Sequence, residues 1–411
     1  MRSDRDSYPM LSVEEAQEQV LAQVRPLEAE SMPILEALGR VLAEDIASDM
    51  DVPPLDNSAM DGYAVRAADI LSASRESPVA LCVVADLAAG RVLEQAMGAG
   101  EAARIMTGAP VPPGADAVVP FEDARREGNQ VEILEALPKG RNVRRAGEDV
   151  RKGDIVLRVG AVLRPQEIGM LASVGRREVR VIRRPRVAIL ATGDEVVEPG
   201  EEVGSGKIRN INSYTNAAQV LKYGGLPLLL GVARDRTDEL TGKIRQGLDA
   251  GADLFLTSGG VSVGDFDLVK KVLAAEGRIN FWWVNMKPGK PMAFGTIRGV
   301  PLLGLPGNPV AAMISFELFA RPMILKMRGY TCWEWPSTTA RLREAIERKD
   351  GRRHYLRVRL FQGGGGLEAE LTGDQGSGIL TSMVAAQGLA VIPEDVRHLP
   401  AGRSVQVLLL G

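Results

Sequence analysis

The spacing of apolar positions changes character along the chain. "LSVEEAQEQVLAQV" repeats them at helical intervals and predicts a helix over roughly residues 13–24. A second helix is expected around Leu35 to Leu38, with Ser31 and Pro33 as start signals. The runs that follow, "YAVRAAD", "VALCVVADL", "ARIMTGA", "DAVVP" and "NQVEIL", have strand length and are parted by Gly- and Pro-containing turns. Residues 51–146 therefore read as a small all-β module. The segment "GEDVRKGDIVLRVGAVLRPQEIGMLASVG" returns to mixed strand and helix and is consistent with packing back on the N-terminal helices.

From Pro185 onward the pattern sharpens. "RVAILATGDE" is a buried-strand run ending in a turn, "SYTNAAQVLKYGG" a helix capped by Asn212 or Ser213, and "LPLLLGVARD" a second strand. "TDELTGKIRQGLDAG" is the next helix, "ADLFLTSGGVSVGD" a third strand and loop, and "FDLVKKVLAAEG" a third helix. This alternation predicts a parallel sheet with right-handed crossovers. "INFWWVNMKPGKPMAFG" and "VPLLGLPGNP" then lead into a long helix from Val310. The short strands of residues 329–411, around "GGGG", predict a small β-barrel.

A chain of 411 residues exceeds one compact core and should divide into two to four domains. Its net charge is −3, and Lys and Arg are dispersed, so no nucleic-acid partner is expected. Cys82 and Cys332 stand in no metal-ligand spacing and imply no disulfide framework, which fits a reducing cytoplasm. The charged N-terminus does not read as a signal peptide. The most apolar helix, "VAAMISFELFARPMILKM", is interrupted by Glu317, Arg321 and Pro322, so no membrane span is expected. With only His354 and His398 available, carboxylates, lysines and backbone amides must carry most of the chemistry.

In an open α/β sheet, ligands bind beyond the carboxyl ends of the strands. Polar signals fall there in succession: "TGDE" (Thr192 to Glu195), Asp235, "TSGGVSVGDFD" (Thr257 to Asp267) and "LPGNP" (Leu305 to Pro309), with Asn308 as N-cap and Pro309 in the first helical position. Ser258, Gly259 and Gly260 offer backbone N–H groups without bulk, and Lys287 and Lys290 in "KPGKP" add positive charge, together describing an oxyanion site. Asp194, Glu195, Asp235, Asp265 and Asp267 are hard oxygen ligands suited to Mg²⁺ bridging phosphate oxygens. Each piece alone also fits a capping or turn role; their coincidence at successive strand ends favours a site. Of Trp282 and Trp283, at least one is expected in the core.

The most polar loop is "DNSAMDGYAV", after "DVPPL". Pro53 and Pro54 forbid a helix there. By itself it predicts an Asx-turn at Asp56 and Asn57, with Asp61 and Gly62 opening into a strand at "YAV".

Read in order, "MPILEALGRVLAEDI", "DNSAMDGYAV", "RIMTGAPVPPGADAVV", "ILATGDEV", "TSGGVSVGDFD", "MKPGKPMAFG" and "LPGNPVAAM" resemble the molybdopterin molybdenumtransferase family (MoeA type), to which the C-terminal domain of gephyrin is related. The resemblance spans nearly the whole chain. It implies an elongated homodimer of multidomain subunits: a split N-terminal domain (1–50 and 147–184), an inserted β domain (51–146), a central three-layer parallel α/β domain (185–328) and a C-terminal β-barrel (329–411). It implies insertion of molybdenum from molybdate into the dithiolene of adenylylated molybdopterin, with release of AMP. The polar loop then resembles the family's active-site loop, which in the dimer reaches the α/β domain of the partner subunit.

Carried over position by position, the resemblance makes Asp61, Thr107, Glu195, Asp235 and Asp267 catalytic. Glu195, Asp235 and Asp267 would hold Mg²⁺, and Lys287, Lys290, Pro306, Asn308 and Pro309 would bind substrate. Two departures stand out. Relatives often carry a basic residue where Trp283 stands, and "RKDGRRHYLRVRL" and "GDQGSGIL" match loosely, which bears on Arg352 and Ser377. Other cofactor-biosynthesis proteins are further possible partners. A molybdopterin adenylyltransferase and a non-catalytic dimeric scaffold stay open as alternatives, as does tungsten in place of molybdenum.

Overall fold

The computed structural model describes residues 9–234, 236–259 and 277–411. The chain forms two compact units, Met1–Glu30 with Ile182–Gly411, and Ser31–Val181.

The first unit is built on a seven-stranded sheet. One side of it is parallel: Arg186–Thr192 lies between the edge strand Leu226–Ala233 and Leu254–Ser258, and the latter pairs with Val300–Leu305. The antiparallel strands Pro291–Ile297 and Gly277–Val284 extend the sheet, and Met10–Leu11 adds a parallel edge. Strand Arg186–Thr192 is apolar at every position from Val187 to Ala191, and its alternation serves two cores rather than one solvated face. Val187 and Ile189 enter the core under helices Val13–Ala22, Asn212–Lys222 and Pro309–Ser315; Ala188 and Leu190 enter the core under helix Thr237–Asp249. The result is a three-layer α/β arrangement on a mixed sheet, and the third helix expected in "FDLVKKVLAAEG" lies, up to residue 276, outside the described residues.

Helix Val13–Ala22 starts in a capping box: the Ser12 amide donates to Glu15 Oε2 at 2.7 Å, and the Glu15 amide donates to Ser12 Oγ at 3.1 Å. It buries Val13, Ala16 and Val20 in the α/β core, so it belongs with that unit rather than with residues 31–50. The helix from Pro309 runs to Met327 through a π-helical stretch at Phe316–Ala320. Beyond it, Arg353–Gly363, Gly366–Leu371, Ser337–Leu342, Ser404–Leu409 and Gly388–Ile392 close on themselves into a five-stranded barrel with its own apolar core.

In the second unit, a six-stranded sheet contains Gly62–Val65 between Glu101–Ile105 and Ala117–Pro120. A separate core joins Ala37, Leu42 and Ile46 to Leu163, Leu171, Val179 and Val181, so the 147–181 segment does return to residues 31–50. The helix expected at Leu35 to Leu38 is absent. Ser31 and Pro33 lie in strand Ala29–Pro33, and the following residues form turns ending at Gly39. Leu35 and Leu38 are 77% and 50% exposed, so this stretch has no apolar face to hold a helix down.

Candidate active site

The strand ends of the first unit meet the barrel around a cleft of about 1020 Å³. Glu195, Lys287, Lys290, Pro306, Asn308, Arg352 and Ser377 all line it, so residues scattered over about half the chain converge on one cavity.

Ser258 and Gly259 are not among the cleft's lining residues. Ser258 ends a buried strand opposite Leu305 and is itself buried. Gly259 follows with φ +85°, and a Cβ there would lie 2.6 Å from the Thr192 carbonyl oxygen, so only glycine lets these two strand ends approach. Asn308 takes the N-cap position with Pro309 behind it, as the sequence predicts, but its side chain does not cap the helix. It reaches across to the barrel and donates to Ser377 Oγ at 2.8 Å, while the Ser377 carbonyl accepts from the Val310 amide at 3.1 Å. That helix end is therefore committed to the barrel loop at Val310 rather than left open to a ligand. Pro309 starts the helix without lining the cleft.

The "KPGKP" loop lies opposite. Lys287 pairs with His354 of the barrel in parallel register, and Gly289, at φ +105°, comes so close to Ser315 that a Cβ would sit 2.7 Å from its Oγ. Trp282 is core, as expected. Trp283 is not: the Lys290 ammonium lies 3.4 Å from the centroid of its indole. Burial lowers the Lys290 pKa, and the nearby Arg352 guanidinium lowers it further.

Asp350, which sequence reasoning missed, organises this cationic wall. Its Oδ2 accepts from Arg352 Nη2 at 2.6 Å and lies 3.6 Å from Lys287 Nζ; its Oδ1 is 2.7 Å from His354 Nε2. Burial pushes its pKa up, but the bonds from His354 and Arg352 outweigh burial and hold the carboxyl below the usual range. His354 is buried, and desolvation lowers its pKa despite Asp350. The density of basic residues in "RKDGRRHYLRVRL" was the available signal: a lone acid among them tends to be their common partner.

Arg357 was missed as well. It is fully buried and has no carboxylate partner among the described residues; it donates instead to the carbonyls of Asp374, Gln375 and Gly376 and to Ser382 Oγ, bracing the loop that presents Ser377.

Glu195 faces the same cleft from the α/β side. It is exposed and has no ion-pair partner among the described residues. Asp235, Gly260, Asp265 and Asp267 lie outside the described residues. Among the described residues no cluster of three metal-ligating side chains occurs. Glu195 is a hard-oxygen donor of the kind Mg²⁺ takes.

In the second unit, Asp61 and Thr107 are brought together. The Thr107 amide and hydroxyl both donate to Asp61 Oδ1 at 2.7 Å, which lowers the pKa of this exposed carboxyl, the amide bond contributing most. The Asx-turn expected at Asp56 does not form. Asp56 accepts from the Ala146 amide at 2.8 Å and from Arg145 Nη1 at 2.6 Å, tying the loop to a distant segment. Ser58, fully buried, donates to the Met60 carbonyl at 2.5 Å.

A three-layer α/β unit with a basic cleft at its strand ends, completed by a barrel loop, defines a class of enzymes acting on small phosphorylated or oxyanionic substrates. Residues 11–175 match the family described as the MoeA N-terminal region (domain I and II), residues 188–326 a probable molybdopterin binding domain, and residues 339–410 the MoeA C-terminal region (domain IV). The chain is 37% identical over 405 residues to the molybdopterin molybdenumtransferase of Haemophilus influenzae, covering 97% of this chain and 98% of that protein. It is 36% identical to the enzyme of the same name from Bacillus subtilis, covering 97% and 94%. The crystal structure of the molybdopterin biosynthesis MoeA protein from Pyrococcus horikosii superposes with a TM-score of 0.84 at 36% identity, over 98% of this chain and 99% of that one. The chain belongs to the molybdopterin molybdenumtransferase (MoeA) family.

Proposed function

We propose that this protein inserts molybdenum from molybdate into the dithiolene of adenylylated molybdopterin and releases AMP, a step of molybdenum cofactor biosynthesis. The observation that carries this reading is the cleft itself: Lys287, Lys290 and Arg352 stand on one wall and the unpaired Glu195 on the other. Two substrates with negatively charged oxygens need several cations in one place, and a carboxylate facing them needs a cation in between.

In this reading Lys287, Lys290 and Arg352 bind the oxygens of molybdate and of the phosphates, with Asp350 fixing the positions of Lys287 and Arg352. Glu195, together with Asp235 and Asp267, would hold Mg²⁺, which when bound supplies charge against the phosphate oxygens of the departing AMP. Asp61, held by Thr107, is an exposed carboxylate available to accept a proton or to orient water. The buried His354 favours its neutral form, so the cationic wall consists of lysine and arginine, and no catalytic histidine is required. Homodimerisation, a cytoplasmic location and dependence on Mg²⁺ belong to the same proposal.

The test is AMP release from adenylylated molybdopterin, with molybdate and Mg²⁺ each present or omitted, for the wild type, Glu195→Gln and Asp267→Ala. Release that needs molybdate and collapses in both variants is expected. No release above buffer would overturn the transferase reading and make ATP-dependent adenylylation the next assay.

A further inference from the structure

We infer that the first unit carries a second small-molecule site, separate from the cleft, that takes an organic cation with an apolar body. A cavity of about 700 Å³ lies between helix Asn212–Lys222, the helix from Pro309 and the barrel, and it shares no lining residue with the cleft. Its volume is in the range of ligand pockets. Met313, Leu360, Met383 and Leu409 supply apolar walls, and the two methionines can adjust to an irregular ligand.

The other wall is rich in acceptors and poor in donors. Glu317 is 3% exposed and forms no ion pair among the described residues. Its Oε1 accepts from Gln219 Nε2 at 3.0 Å and its Oε2 from the Tyr223 hydroxyl at 2.6 Å. A carboxylate has about four lone-pair sites, so those two bonds leave acceptor capacity unused. Gln219 is 7% exposed, and its Oε1 is buried with no hydrogen-bond partner. The neighbouring cations form no ion pair with Glu317 among the described residues, although the Arg321 guanidinium lies 5.4 Å from the centroid of the Tyr223 ring. Lys222 donates to the carbonyls of Leu410 and Gly411, and Arg321 donates to those of Trp333 and Glu334.

Burying a carboxylate without an ion-pair partner is costly. Glu317 sits in the π-helical stretch Phe316–Ala320, a local widening that recurs where a helix serves a site. An ammonium, amidinium or guanidinium group supplies both the missing charge and the missing N–H donors, while the methionine- and leucine-lined walls take its hydrocarbon part. Such a group can come from a free amine or from an arginine side chain of a peptide.

Calorimetric titration of the full chain with benzamidine, with its neutral counterpart benzamide, and with N-acetyl-arginine methylamide tests this. Benzamidine or the arginine derivative should bind at least about tenfold tighter than benzamide, a difference of about 1.4 kcal/mol. Preference for benzamidine identifies a free amine as the source, and preference for the arginine derivative a peptide. Glu317→Gln, which keeps the shape of the side chain, should abolish the preference, and Met383→Trp should block binding by filling the cavity. Lys287→Ala, in the cleft, should leave it unchanged. Equal binding of charged and neutral probes, no binding of either cation, or retention of the preference in Glu317→Gln would each overturn the assignment.

Discussion

The Lys290 ammonium lies 3.4 Å from the centroid of the Trp283 indole, at the edge of the cleft where the second lysine of "KPGKP" must present its charge. The aromatic face fixes a long, flexible side chain and so removes part of the entropy an anion would otherwise have to overcome. A cation–π contact of this kind contributes from about 0.5 to 2 kcal/mol. Trp283→Leu is therefore expected to weaken molybdate binding by about three- to tenfold, and Trp283→Phe by less. Titration with molybdate checks this; unchanged affinity in Trp283→Leu would show that Lys290 is positioned by its own loop.

Asp350 joins Lys287, Arg352 and His354, and its removal should loosen all three at once. Asp350→Asn keeps the size of the side chain but loses the charge. We expect a rise in the molybdate concentration needed for half-maximal AMP release, together with lower stability at neutral pH. Hydrogen bonds to charged groups contribute about 1.5–3 kcal/mol each when well made, although partial exposure reduces that here. Denaturant midpoints and saturation curves for the variant provide the measurement. A change in turnover with no change in half-saturation would contradict a positioning role.

Much of this arrangement was legible in the chain. The strand–turn–helix alternation after Pro185 placed the strand ends, and of the polar signals there Glu195, Pro306 and Asn308 line the cleft, while Ser258, Gly259 and Pro309 do not and Asp235, Asp265 and Asp267 lie outside the described residues. What escaped were contacts made across long sequence separations. Asn308 reads as a helix cap, yet its partner is Ser377 on the barrel. Asp56 reads as an Asx-turn residue, yet it is tied to Arg145 and Ala146. Leu35 and Leu38 have helical spacing but no surface to pack against. Local pattern gives the preferences of a segment; the partner that overrides them lies elsewhere in the sequence.

Arg357 braces the loop before Ser377 through three carbonyls and the Ser382 hydroxyl, without a carboxylate to neutralise it. Burial lowers its pKa, yet a guanidinium stays charged at any ordinary pH. Arg357→Lys keeps the charge but cannot reproduce the planar fork, so carbonyls of Asp374 to Gly376 lose their partners. The expected loss is about 2–4 kcal/mol of stability, as for other buried polar networks left partly unmade. Arg357→Met is expected to cost no less, since the carbonyls then have no donor at all. Chemical denaturation resolves both variants, and a loss below about 0.5 kcal/mol in each would mean that water replaces the guanidinium.

His354 gives the site a pH dependence whose sign can be worked out. Burial lowers its folded-state pKa below the ordinary value of 6.5, with Asp350 opposing and Arg348 and Lys287 reinforcing the shift. Between that lowered value and 6.5 the unfolded chain binds more protons than the folded one, so stability rises with pH across this window and falls as the solution is acidified through it. Asp350 contributes with the same slope but lower on the scale: its folded pKa lies below the ordinary 3.8, so its contribution is complete above that value and disappears only as pH falls toward the folded pKa. Denaturant midpoints measured from pH 8 down to pH 4 should therefore decline first below about pH 6.5. His354→Gln should flatten that first decline. A wild-type midpoint that stays level from pH 7 to pH 5, or a first decline that persists in His354→Gln, would place the titrating group elsewhere in the fold.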